Sequence, residues 1–144
     1  MLTLKTMHTT QTSYEKVLSA NDTGITGGHM GGILIPRTES GLIDLFPKLD
    51  PEDYNPSVFI NVYDTNGSGH KLRFVYYNNK LHNKGTRNEY RLTYLTHYLR
   101  NWNAEAGDRF RITKTEDNRL EMCVVKKVSG GSGRIILKGW NRVC

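Results

Sequence analysis

Arg87, Glu89 and Arg91 stand at alternate positions of the segment Lys84-Gly85-Thr86-Arg87-Asn88-Glu89-Tyr90-Arg91. If that segment is extended, side chains alternate between faces and all three point the same way. An arginine fork can donate two hydrogen bonds to O6 and N7 of guanine, and a carboxylate can accept one from the amino group of cytosine. A binder of phosphate alone gains nothing from a carboxylate turned toward DNA, because the backbone repels it. The trio is therefore the pattern expected of a reader of G·C pairs. An ion-pair ladder on a solvated strand has the same spacing and contributes little energy, so the neighbouring residues must decide between the two.

Those neighbours are basic. From His70 to Arg100 the cations are Lys71, Arg73, Lys80, Lys84, Arg87, Arg91 and Arg100, against the single acid Glu89: seven minus one, or +6. The whole 144-residue chain also carries +6, so the rest of it is electrically balanced. A basic excess packed into about one fifth of the sequence is the footprint of a polyanion, with DNA or RNA the first candidate. Tyr76, Tyr77, Asn78, Asn79, Asn83, Thr86 and Asn88 are interleaved with the charges, a composition for hydrogen bonding and stacking. Arg87, Glu89 and Arg91 are thus read as base contacts. Lys71, Arg73, Lys80, Lys84, Thr86 and Asn88 are read as phosphate and positioning contacts.

A second segment, Ser19 to His29, is rich in glycine, which lets a backbone approach another molecule closely. Asp22, Thr23, Thr26 and His29 are short polar groups able to reach phosphates or base edges from it. The GxxxxGK(S/T) phosphate loop is absent, since no lysine lies between Lys16 and Arg37, and no helix-forming run follows the glycines as a dinucleotide site requires. A flexible surface loop is the alternative.

Signals for catalysis are missing. No lysine has Asp or Glu two residues before it, so the (Asp/Glu)-x-Lys pair that holds Mg²⁺ in the largest class of restriction nucleases is absent. His8, His29, His70, His82 and His97 show no metal-ligand spacing, and there is no local serine or cysteine nucleophile motif. The chain is expected to bind rather than catalyse, with no catalytic residue, metal or cofactor of its own. No run approaches the apolar length of a membrane span, and Met1 to Thr12 lacks the apolar region of a signal peptide. Cys123, in the run Met122-Cys123-Val124-Val125, reads as a buried strand residue, and Cys144 ends the chain. Two such cysteines make no disulfide framework or CxxC site, which points to a reducing, cytoplasmic setting.

The elements that must position these residues are short. Tyr14–Leu18, Ile33–Ile35, Val58–Tyr63, Leu72–Tyr77, residues 88–93, Phe110–Thr113, Leu120–Val125 and Ile135–Leu137 read as strands. Asn66-Gly67-Ser68-Gly69 joins the third and fourth as a hairpin. Ser40 is placed as the cap of a helix running to Phe46 before Pro47, and Tyr94 to Trp102 has helical spacing with Leu95, Tyr98, Leu99 and Trp102 on one side. Seven or eight strands with two short helices make a mainly β domain, an antiparallel barrel or sandwich. The length suits one domain spanning residues 1–144.

Ser19 to His29 resembles the signature of the N-terminal, effector-binding domain of EcoRII-type restriction endonucleases. Asn55-Pro56-Ser57-Val58-Phe59 and Tyr76-Tyr77-Asn78 resemble its central strands, and Gly85-Thr86-Arg87-Asn88-Glu89 with Arg91 resembles its second DNA-contacting segment. The blocks follow the family's order over residues 13–128; Met30, Tyr90 and the stretch 129–144 depart from its pattern. The resemblance implies an open DNA-binding pseudobarrel of the plant B-three kind, with two arms that grip the major groove. Asn21 to His29 would be the N-arm and Lys84 to Arg91 the C-arm. It implies recognition of CCWGG, where W is A or T, by a monomeric domain of a prokaryotic cytoplasmic enzyme. The covalently linked nuclease domain of that family is absent from this chain. Two rival readings stand beside it. One is a single-stranded nucleic-acid binder stacking bases on Tyr76, Tyr77, Tyr90 and Trp102. The other is a small enzyme holding a phosphorylated ligand in the glycine-rich loop.

Overall fold

Alternation of apolar and polar residues dominates the chain and folds it mainly as strands. The computed structural model describes residues 11–24, 32–128 and 139–143. In chain order these hold β1 (Thr12–Val17), β2 (Ile33–Ile35), α1 (Ser40–Ile43), β3 (Ser57–Asp64), β4 (Gly69–Tyr77) and β5 (Glu89–Thr93). α2 (Thr96–Asn101), β6 (Arg109–Lys114), β7 (Leu120–Val125) and β8 (Trp140–Arg142) follow. All eight strands join one sheet in the order β2-β5-β4-β3-β7-β6-β1-β8. Every pair is antiparallel except β3 with β7.

The sheet curls until its two edge strands face each other without a ladder between them. A side-chain bond crosses that seam: the Trp140 indole N–H donates to the Leu34 carbonyl at 2.9 Å. The result is an open half-barrel. Its inner face is apolar, with Ile60 and Val62 from β3, Leu72 and Phe74 from β4, and Leu92 from β5 all buried. Leu42, Leu45 and Phe46 plug it from the α1 side, and Leu95, Tyr98 and Leu99 from α2. A column of rings runs through this core. Phe46 stacks on Phe74 at 4.4 Å, Phe74 on Tyr90 at 5.4 Å and Tyr90 on Tyr76 at 4.3 Å.

Several sequence expectations need correction. Ser40 is the first residue of α1 and not its cap; Glu39 is the cap, and no side chain bonds the helix end. The helix stops at Ile43, and the chain reaches Phe46 through turns bonded Leu45 N to Leu42 O and Phe46 N to Ile43 O. Trp102 does not share the buried side of α2. It lies just past the helix, half-exposed, and donates its indole N–H to Asp64 at 3.0 Å while the Tyr98 hydroxyl bonds the other carboxylate oxygen at 2.8 Å. Burial and the Asp64 carboxylate push the Tyr98 hydroxyl well above its ordinary pKa. Cys123 is only partly buried and pairs with Arg111, because the core-facing residues of β7 are Leu120 and Met122. Burial pushes its thiol up, so it is a poor nucleophile. The strand expected at Ile135–Leu137 lies outside the described residues, as does Cys144, and β8 at Trp140–Arg142 was not anticipated.

The alternation predicts opposite outcomes for two phenylalanines. Phe74→Ala should cost about 3–5 kcal/mol of unfolding free energy, because it empties the centre of the ring column. Phe59→Ala, on the outer face and 50% exposed, should stay within about 1 kcal/mol of wild type. Urea denaturation of both variants checks this, and similar losses would mean that the faces are assigned wrongly.

Candidate nucleic-acid interface

The outer face of β5, β4 and β3 carries the candidate residues, and strand register explains how. Glu89 lies opposite Tyr77, Arg91 opposite Val75 and Thr93 opposite Arg73. On the far side of β4, Phe59 lies opposite Arg73 and Asn61 opposite Lys71. On the near side, Leu34 of β2 lies opposite Arg91. Directly opposed residues share a face, so Glu89, Arg91, Tyr77, Arg73 and Lys71 project together, away from the core.

Arg87 joins them from just before β5. Its Nη2 donates to Glu89 Oε2 at 2.9 Å, and Arg91 Nε donates to the same oxygen at 2.7 Å. The predicted one-sided trio is therefore real, and it is also the ion-pair ladder that sequence could not separate from it. Burial alone would raise the Glu89 pKa, but the hydrogen bonds and charges of Arg91 and Arg87 outweigh it and hold the carboxyl below its ordinary value. Arg91 is further tied to the Gly32 carbonyl, at 3.4 Å. Gly32 has to be glycine: its φ is +77°, and a Cβ there would fall 1.9 Å from the Leu92 carbonyl oxygen.

The connection between β4 and β5, residues 78–88, is a braced lobe. The buried Asn78 side chain accepts from Asn55 N at 2.7 Å and donates to the carbonyls of Asp53 and Pro51 at 2.7 and 3.0 Å. Asn55 returns the bond, its Oδ1 accepting from Asn78 N at 2.9 Å. Asn79 Oδ1 accepts from Arg87 N at 2.8 Å, and Lys80 N donates to Arg87 O at 3.0 Å, which closes the neck of the lobe. Lys80, Lys84 and Thr86 are exposed on it, with the Lys84 ammonium 5.0 Å from the centre of the Tyr54 ring. Asn88 is different from its assigned phosphate role: its Oδ1 faces inward and accepts from the Tyr76 hydroxyl at 2.5 Å. Arg37, which sequence reasoning missed, donates to the Asn88 carbonyl at 3.0 Å and adds an exposed cation beside the trio. Its isolation between Pro36 and Thr38 left no local signal.

Lys71, Arg73, Lys80 and Lys84 form no ion pair among the described residues. A second arginine-flanked acid exists, where Glu15 on β1 holds Arg109 and Arg111 of β6 at 3.0 and 2.7 Å, but it lies at the other end of the strand order. In the first predicted segment, Asp22 accepts from Ser19 N at 2.9 Å and pairs with Lys16, while the buried Thr23 donates to the Ala20 carbonyl at 2.9 Å. Both side chains thus shape the turn 19–24 in this structure instead of standing free. Thr26 and His29 lie outside the described residues.

The single-strand stacking platform is not assembled. Tyr76 and Tyr90 are inside the ring column, the Arg87 guanidinium covers Tyr77, and Trp102 is bound to Asp64. No group of three or more potential metal ligands is found among the described residues, and no helix among them is long and apolar enough to cross a membrane.

Residues 8–104 match the family described as restriction endonuclease EcoRII, N-terminal. The type II restriction enzyme EcoRII of Escherichia coli is 44% identical over 84 residues, which is 56% of this chain and 20% of that protein. The chain therefore spans far less than the full length of that relative. The B3 domain of the UbaLAI restriction endonuclease, solved with cognate DNA, is similar with a TM-score of 0.56 at 18% identity, over 92% of this chain and 86% of that one. That likeness shows a shared pseudobarrel fold.

Asn78→Ala should lower the unfolding free energy by about 3 kcal/mol, since it removes three hydrogen bonds made by a side chain that is itself fully buried; a loss under 1 kcal/mol in urea titration would contradict the bracing role. Glu89 has its folded pKa depressed, so its stabilising contribution is complete above its ordinary value of 4.5 and is lost as pH falls below it. The stability gap between wild type and Glu89→Gln should accordingly be widest at neutral pH and narrow as pH is lowered from 4.5. A gap independent of pH would mean that the charge of Glu89 is irrelevant.

Proposed function

The chain belongs to the family of the N-terminal domain of restriction endonuclease EcoRII, and from that premise we propose that it is a sequence-specific duplex-DNA-binding domain of a type II restriction enzyme. The observation that carries the reading is the Arg87–Glu89–Arg91 row, held on one outward sheet face inside the basic segment from residue 70 to residue 100.

Loops at the two ends of β5 support a two-armed grip. The lobe 78–88 lies at the Glu89 end; at the Thr93 end, Gly32 packs on Leu92 and Thr93, and Gly24 approaches Thr96. Four residue steps at about 3.4 Å put roughly 14 Å between those ends, close to the ~12 Å width of the major groove. In this reading Arg87 and Arg91 donate to guanine, and Glu89 accepts from cytosine. Lys71, Arg73, Lys80, Lys84, Thr86 and Arg37 contact phosphates, while Asn88 braces the lobe from within. Asp22, Thr23, Thr26 and His29 belong to the opposite arm, Asp22 and Thr23 by shaping its base. The site read is CCWGG, whose two flanking G·C pairs on each side suit an arginine-and-carboxylate reader. The domain binds as a monomer in the bacterial cytoplasm, needs no cofactor, and is covalently joined to a nuclease domain in the full-length enzyme.

A gel-shift titration tests this with three probes: a CCWGG duplex, the same duplex with one G·C pair inverted, and the single strand. Preference for the intact duplex is expected. Arg87→Ala should cost about 1–3 kcal/mol on that duplex and relax discrimination at one base pair. Lys84→Ala should weaken all duplexes alike and reduce the log–log salt slope by about one. Equal affinity of the wild type for the intact and inverted duplexes would contradict CCWGG, and preference for the single strand would contradict the whole reading.

A further inference from the structure

We propose that Tyr77 is a positioning residue for base reading: its ring sets the orientation of the Arg87 guanidinium before DNA arrives. The proposal rests on the base-reading role proposed above and assigns the tyrosine a part that acts through Arg87. The guanidinium carbon lies 3.8 Å from the centre of the Tyr77 ring, a stacking distance. Register puts the ring there, because Tyr77 is the cross-strand partner of Glu89 and shares its outward face, while Tyr76 turns into the core.

Arg87 needs this support more than Arg91 does. Arg91 is a strand residue with its side chain 14% exposed, bonded to Glu89 and to the Gly32 carbonyl. Arg87 precedes the strand, is 34% exposed, and among the described residues has one side-chain hydrogen bond, to Glu89. Its backbone is already fixed by Asn79 Oδ1 and Lys80 N, so the remaining freedom is in the long side chain. A free arginine loses that rotamer freedom when it engages a base edge, whereas one stacked on a ring and bonded at its edge has lost it beforehand. A bidentate contact demands a defined guanidinium plane, and the ring supplies one. A side chain that merely fills space could be replaced by leucine without affecting Arg87.

The test compares Tyr77→Phe, which keeps the ring, with Tyr77→Leu, which keeps an apolar side chain of similar reach. In the free domain, ¹⁵N relaxation of the Arg87 Nε–H group should show an ordered side chain in wild type and Tyr77→Phe, and a mobile one in Tyr77→Leu. In binding, Tyr77→Phe should match wild type, while Tyr77→Leu should lose about two- to tenfold on the preferred duplex and little on random duplex. In an Arg87→Ala background, Tyr77→Leu should cost nothing further. Additive losses, or an equally ordered Arg87 in the leucine variant, would overturn this proposal alone. A wild-type chain that prefers no sequence in a random-library selection would overturn the base-reading premise and the proposal with it.

Discussion

Two guanidinium groups on one face, Arg91 on β5 and Arg87 just before it, repel each other, and the Glu89 carboxylate is what lets them share that face. One oxygen accepts from both, at 2.9 and 2.7 Å. Partly exposed ion pairs contribute little to stability, so the acid matters chiefly as a spacer that fixes where the two forks point. It also leaves the trio with a net positive charge. The Glu15 group on β1 and β6 has the same form, one carboxylate between two arginines, at the other end of the strand order. What distinguishes the Glu89 group is its setting, with Lys71, Arg73, Lys80 and Lys84 around it in no ion pair among the described residues.

A lobe carrying that many cations would splay apart if its charges alone determined its shape. Neutral amides hold it instead. Asn55 and Asn78 exchange backbone bonds reciprocally, and Asn79 closes the neck on Arg87. The bracing continues inward from Asn88 through the Tyr76 hydroxyl to the ring column that fills the half-barrel. Core packing and loop geometry are thus one continuous system, in which the rigid inner face sets the position of the polar outer one. Binding through such a prearranged surface loses less conformational freedom than binding through a mobile loop.

Much of this was legible in the sequence because period-two alternation is a strong signal. It located the hairpin of β3 and β4, placed β5, and put Arg87, Glu89 and Arg91 on one side. Other features are invisible to local pattern. The Asn55–Asn78 exchange joins residues 23 apart, and in sequence each asparagine is only a turn former. Aromatic composition suggested a stacking surface, but only cross-strand register shows that Tyr76 and Tyr90 face each other inside. Strand β8 is three residues long, too short for periodicity, and its role emerges only when Trp140 reaches Leu34 across the seam. Ser40 had the chemistry of a cap, yet the helix began one residue earlier than capping preference suggested.

Base edges in the major groove are what this sheet face is proposed to read. Methylation interference tests this directly: DNA carrying random N7-methylguanine and N3-methyladenine is partitioned between bound and free fractions by the chain. Methylation at the guanines of the preferred site should block binding, because it occupies the acceptor that an arginine fork requires. Interference only at adenine N3, in the minor groove, or at no base at all would contradict it.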